Sequence, residues 1–221
     1  MNHPIVQSTA GVTLVGGGPV PARDLKSALV RAPLPVAADS GADRLLAAGI
    51  RPHTVIGDLD SISNAARAAL PGISLHQIDD QDTTDFDKAL RAIDAPFILA
   101  LGFSGARMDH GLAVMNTLVR HPDRACIVIG PKDIAFAAPL RLHLTLRPGD
   151  AVSLFPLAPV TGTSMGLHWP LDGLSFAPDG MIATSNRASA GQVEWQLSNP
   201  GMLAILPRAR LDQAIRALSE G

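Results

Sequence analysis

Along the first 130 residues, short apolar runs alternate with amphipathic segments, and most runs stop at a glycine or an aspartate. Val12–Val15 ends at Gly16-Gly17-Gly18, and a helix is predicted from Ala22 to Arg31. Pro35–Ala38 ends at Asp39-Ser40-Gly41, followed by a helix over Ala42–Ala48 that Gly49 closes as a C-terminal glycine. Thr54–Ile56 ends at Gly57-Asp58, with a helix over Ser63–Leu70. Phe97–Leu101 ends at Gly102, before a helix over Asp109–Arg120, and Cys126–Ile129 ends at Gly130. Repeated strand, breaker and helix predict an α/β fold, a mostly parallel sheet with flanking helices of Rossmann-like type. Ligands of such sheets bind beyond the C-terminal strand ends, the edge on which Asp39, Asp58, Asp60 and the Gly102 loop should all fall.

After about Leu140 the rhythm changes. Leu142–Leu146 and Ala151–Phe155 read as short strands between Pro and Gly turns, and turn signals punctuate the chain as far as Pro200-Gly201. This predicts a small antiparallel all-β domain, sandwich-like, over 141–221, after an α/β domain over 1–140. A short helix over Leu211–Leu218 closes the chain.

Composition narrows the class. Of 221 residues, 47% are hydrophobic and 17% charged, which is globular rather than disordered. The net charge of −2 carries no basic stripe, so no nucleic-acid partner is expected. Apolar runs fall short of a membrane span, and the first residues lack the pattern of a secretion signal. With a single cysteine, Cys126, set in an apolar run, a cytoplasmic protein is expected.

Three segments carry candidate chemistry. Gly57-Asp58-Leu59-Asp60-Ser61 sets two carboxylates one residue apart, on one side if the backbone stays extended. Adjacent carboxylates repel, and a hard divalent cation such as Mg²⁺ removes that conflict while sharing itself with substrate phosphates. A turn with two solvated aspartates explains the pattern equally well. Asp79–Lys88 holds five aspartates, of which Asp82 and Asp85 have the spacing of a helix cap and its partner. Gly102–His110 is a glycine-containing loop with Arg107 available to a phosphate and Asp109 as a cap for the next helix. His110, beside that cap, is expected to be a hydrogen-bonding or packing residue, with ligand contact left open.

Taken in order, four pieces resemble the thiamine pyrophosphokinase family: Ala38–Asp43, Ile56–Ile62, Asp80–Leu90 and Gly105–His110, with Thr184-Ser185-Asn186 matching a fifth, shorter motif. The resemblance implies an α/β catalytic domain, a thiamine-binding β domain, a homodimer, and transfer of a diphosphoryl group from ATP to thiamine with release of AMP. It further implies Mg²⁺ at Asp58, Asp60 and Asp85, with Asp82 close by, and catalysis by the first three. Nucleotide contacts are implied at Asp39, Ser40, Gly41, Thr84 and Arg107. Thiamine contacts are implied at Gln81, Asp109, Ser185 and Asn186, with Trp195 as the preferred stacking aromatic and Trp169 the second. Leu59, Ser40, Ala106 and Val114 depart from the family's common residues. Two rival readings remain at this stage. An Asp-x-Asp phosphatase of the haloacid-dehalogenase kind would use Asp58 and Asp60, and a sensor would bind thiamine or nucleotide without turnover.

Overall fold

The computed structural model describes residues 4–80, 82–105 and 107–219. The chain forms two compact units, Met1–Val114 and Met115–Gly221. In the first, the strands are β1 (Val6–Gln7), β2 (Val12–Val15), β3 (Leu34–Ala38), β4 (Thr54–Gly57), β5 (Ser74–Gln77), β6 (Ile93–Asp94) and β7 (Ile98–Leu101). The helices are α1 (Ala22–Arg31), α2 (Gly41–Ala47), α3 (Asn64–Ala69) and α4 (Asp85–Ala92), and α5 (Met108–Arg120) spans the division. The predicted strand and helix over 12–31 are found at the expected residues. β5 and the β1–β6 pair were not predicted, because they are short and β5 is mostly exposed, so neither leaves an apolar period.

Five strands run parallel in the order β7-β2-β3-β4-β5. The order turns back at β2, which is the topological switch where parallel sheets open a crevice. β2, β4 and β7 are buried along their whole length, as expected of strands covered on both faces. Val15, Ala37 and Val55 of the sheet pack with Leu25, Leu45 and Ala66 of the helices in one core cluster. Gly41 permits α2 to sit on the sheet: a Cβ there would lie 1.9 Å from the Val15 carbonyl oxygen.

The second unit is antiparallel. Its strands are β8 (Cys126–Ile129), β9 (Asp133–Ala137), β10 (Arg141–Thr145), β11 (Ala151–Pro156), β12 (Val160–Met165), β13 (Ser175–Phe176), β14 (Ala183–Arg187), β15 (Gln192–Leu197) and β16 (Met202–Pro207). They form the orders β14-β11-β16-β9-β8 and β10-β15-β12-β13. β10 and β15 alternate exposed and buried residues, the period of a sheet with one wet face. α6 (Leu211–Ser219) follows, and the Asp150 carboxylate accepts two hydrogen bonds from the Arg210 guanidinium, at 2.5 and 2.9 Å. Among the described residues no helix is long and apolar enough to cross a membrane.

Candidate active site

Because the strands are parallel, the residues that follow β2, β3, β4 and β7 emerge on one edge. A crevice of about 390 Å³ opens there, lined among others by Gly16–Gly18, Asp39, Ser40, Asp58, Thr84, Asp85, Lys88, Gly102, Arg107 and His110. This volume lies in the range of small-ligand sites. Arg44 of α2 holds the glycine turn from behind, donating from Nε to the Gly17 carbonyl at 2.9 Å. Phe86 and Phe103 pack as a tilted pair, 4.7 Å between centroids, and both line the crevice.

One carboxylate oxygen each of Asp39, Asp58 and Asp60 lies within 4.8 Å of the others. The local backbone that achieves this is not extended, as the Asp-x-Asp spacing had suggested. Leu59 takes φ = 65°, a left-handed conformation costing about 1–2 kcal/mol for a residue with a Cβ. Its side chain is 5% exposed in the α1–α3 core, and such burial is worth about 1.5–3 kcal/mol. Burial therefore offsets the strain, and Arg67 secures the turn by donating to the Leu59 carbonyl. With Leu59 turned inward, Asp58 is left half-buried and Asp60 exposed.

Asp39 is strained in the same sense, at φ = 45°, and is 4% exposed. Its Oδ1 is buried without a hydrogen-bond donor among the described residues. Burial, with Asp85 and Asp58 nearby, raises its carboxyl above the usual range. Asp58 shifts the other way. Burial opposes its charge, but the Asp60 N–H and the Lys88 ammonium outweigh that and lower it. Lys88, on α4, is 2% exposed and reaches Asp58 Oδ2 at 3.4 Å and Asp85 Oδ1 at 3.3 Å. Burial disfavours the ammonium, yet Asp85 and Asp58 raise it overall. An all-oxygen donor set containing a buried carboxylate oxygen without a donor suits a hard divalent cation.

Several expected site residues fall elsewhere. Asp82 is exposed, does not line the crevice, and does not cap α4. Thr84 takes that place, its hydroxyl accepting from the Asp87 N–H at 3.3 Å from an extended backbone position. Asp82 is instead turned toward Asp80, whose Oδ1 accepts its N–H. Gly41, the first residue of α2, is buried against the sheet, outside the crevice lining. Asp109 lies one residue inside α5 rather than at its cap, and its carboxylate is paired with Arg107 at 3.1 and 2.5 Å, which holds it at about 2. Gln81 lies outside the described residues.

In the second unit, Ser185 has φ = 62° and donates its N–H to Ser153 Oγ. Asn186 is buried and grips Trp169 at both ends, accepting from its N–H at 3.2 Å and donating to its carbonyl at 2.7 Å. Trp169 is 52% exposed, with the Arg187 guanidinium 5.1 Å from its ring centroid. Trp195, preferred for stacking, is 3% exposed and its Nε1 donates to the Pro139 carbonyl, so it serves as a core residue. The alternation of Val193, Trp195 and Leu197 with Gln192, Glu194 and Gln196 already carried that signal.

The sequence does not single out Lys88, nor Asp39 as a member of the carboxylate group. No local signal marks a lysine as buried. Asp39 is 19 positions from Asp58, and the two meet through the pairing of Ala38 with Ile56.

Fold and site together define a parallel α/β protein with an acidic crevice at its strand ends, joined in sequence to an antiparallel β unit. The comparison with known proteins is specific. Residues 25–129 match the model of the thiamin pyrophosphokinase catalytic domain, and residues 140–200 match that of its vitamin B1 binding domain. Thiamine pyrophosphokinase 1 of rice (Oryza sativa subsp. japonica) is 30% identical over 190 residues, covering 71% of this chain and 72% of that protein. Rice thiamine pyrophosphokinase 3 is 31% identical over 155 residues, covering 62% of this chain and 58% of that protein's length. The thiamin pyrophosphokinase structure from Candida albicans superposes with a TM-score of 0.76 at 18% identity, covering 93% of both chains. The chain belongs to the thiamine pyrophosphokinase family.

Proposed function

We propose that the protein is a thiamine diphosphokinase, transferring the diphosphoryl group of ATP to the hydroxyl of thiamine and leaving AMP. The observation that carries this reading is the meeting of Asp39, Asp58 and Asp60 oxygens within 4.8 Å beside a crevice at the parallel strand ends. In a chain matching both domains of the family, that arrangement suits a divalent cation shared with a nucleotide phosphate tail. The parallel sheet works here in the Rossmann-like manner, and the functional division falls at 140/141, with catalysis in 1–140 and thiamine held by a sandwich-like 141–221.

Asp58 and Asp60, joined by Asp39, would hold a magnesium ion, with Asp85 at the side of the group. Bound there, the ion supplies charge neutralisation for the α–β bridging oxygen as AMP leaves. The remaining work belongs to the chain. Gly16–Gly18 and Gly102 let backbone approach an anion, and Ser40, Thr84 and Arg107 line the same crevice. Positioning and electrostatic stabilisation contribute most of the acceleration in such transfers. Ser185 and the exposed Trp169, whose backbone the buried Asn186 holds, form the surface of the second unit suited to an aromatic heterocycle. The resemblance of their motifs to the family's also implies Gln81 and Asp109 as thiamine contacts. We further propose a cytoplasmic homodimer.

The test is AMP formation by the purified protein with ATP, Mg²⁺ and thiamine, each omitted in turn. AMP that depends on all three supports the reading. Inorganic phosphate released without thiamine would support the phosphatase, and tight thiamine binding without AMP the sensor.

A further inference from the structure

Asp39, Asp58 and Asp85 line the crevice, Asp60 joins Asp39 and Asp58 in the group of three, and one ammonium is buried against Asp58 and Asp85. Lys88 stands one helical turn after Asp85 on α4, its side chain 2% exposed. A desolvated ammonium is costly unless paired, and here its recorded partners are Asp58 Oδ2 and Asp85 Oδ1 at 3.4 and 3.3 Å. Both contacts are long for charge-assisted hydrogen bonds, which cluster near 2.7–2.9 Å. The ammonium is thus divided between two carboxylates rather than committed to either. Asp58 is divided too, because its other oxygen accepts the Asp60 N–H and it belongs to the group of three. Lys88 therefore occupies the charge environment into which a divalent cation must enter.

We propose that Lys88 is a positioning residue that acts as an internal competitor for the cation, holding Asp58 and Asp85 apart from one another's charge and keeping metal affinity low until a phosphate ligand shares the ion. The inference rests on the reading of the carboxylates as a cation site. Its sign follows from Coulomb's law. Removing one positive charge a few ångströms from the ligand oxygens strengthens their attraction for a divalent ion, while the freed carboxylates lose the group that separates and orients them. Tighter metal binding and slower turnover should therefore appear together.

The experiment compares Mn²⁺ binding to the nucleotide-free full chain by electron paramagnetic resonance for the natural protein, Lys88→Gln and Lys88→Arg. Lys88→Gln should bind Mn²⁺ at least tenfold more tightly, with kcat lowered at least tenfold, whereas Lys88→Arg, which keeps the charge, should bind Mn²⁺ within about threefold of the natural protein. General structural damage would weaken both properties, so the opposed movement is the signature. Equal or weaker Mn²⁺ binding by a folded Lys88→Gln would overturn the proposal. Absence of saturable Mn²⁺ binding in both proteins would overturn the cation site itself and the proposal with it. If Lys88→Gln does not fold, the natural protein decides. The chain has three lysines, Lys26, Lys88 and Lys132, so ¹³C-lysine resonances are few. Saturation with Mg²⁺ should move the Lys88 signal and leave the other two in place, and an unmoved Lys88 signal would overturn the proposal.

Discussion

Each unit buries a cation, and the two are treated differently. In the antiparallel unit, Arg210 faces Asp150 in a two-pronged contact at 2.5 and 2.9 Å, and Asp150 also accepts the Arg147 N–H. In the parallel unit, Lys88 is stretched between Asp58 and Asp85 at 3.3–3.4 Å, and Asp39 keeps a buried oxygen without a donor. The first arrangement closes its hydrogen-bond account, while the second leaves negative charge unanswered. Backbone strain follows the same division. Among the described residues, three non-glycine positions have positive φ: Asp39 at the crevice, Leu59 in the core between Asp58 and Asp60, and Ser185 beside Asn186. Strain and unsatisfied charge persist where the surrounding fold imposes them, and both coincide here with candidate site residues. The satisfied pair reads as stability and the unsatisfied group as chemistry.

The strongest way to break this contrast is Asp58→Asn, which keeps the side chain's size and removes its charge. AMP formation should fall by roughly 10²-fold or more, with a thermal midpoint close to that of the natural protein. Near-normal turnover would remove Asp58 from the cation set.

Asp150→Asn should do the reverse, lowering unfolding free energy by about 3 kcal/mol in a denaturant titration, because it leaves the Arg210 charge buried without its partner. Arg210 holds the Asp150 carboxyl below its usual range. A depressed folded value means that the contribution is present above the unfolded carboxylate value near 4 and is lost as pH falls through the folded value. The stability gap between natural and variant protein should be level from about pH 5 upward and narrow below about pH 4. A gap that stays full at pH 3 would contradict the ion-pair account.

Thr84→Ala removes the hydroxyl that caps α4 and should cost about 1 kcal/mol, whereas Asp82→Ala, away from the cap, should cost much less. Equal losses would return the cap to Asp82. The smallest effect is expected at Ser185→Gly. Relief of the left-handed conformation, reduced by the added chain entropy of glycine, should stabilise by about 0.5 kcal/mol. Calorimetry should show that gain alongside weaker thiamine binding. A gain with unchanged binding would make the strained serine incidental.

Much of the architecture was legible because burial leaves periods in the sequence. Fully buried strands read as apolar runs and an amphipathic helix as a helical period, so Val12–Val15, Cys126–Ile129 and Ala22–Arg31 fell at the predicted residues. β5, Ser74–Gln77, leaves no period because the sheet edge exposes it. Cys126–Ile129 shared the apolar rhythm of the first half, yet β8 pairs antiparallel with β9, since an apolar run records burial and not direction. Motif order likewise pointed to the family, while the cap of α4 fell to Thr84 rather than Asp82 and Trp195 was taken into the core.

By itself, then, the sequence determined the element types, the change of rhythm after the first half, and the family to which the chain belongs, because these rest on local periodicity and on ordered motifs. Tertiary structure alone decided which charges share a space. Asp39 meets Asp58 through the pairing of β3 with β4, Leu59 turns inward because a core receives it, and Lys88 is buried between two aspartates 27 residues apart by the packing of α4 against β4. Electrostatic interaction depends on separation and on exclusion of water, and neither quantity is written in the order of residues along the chain.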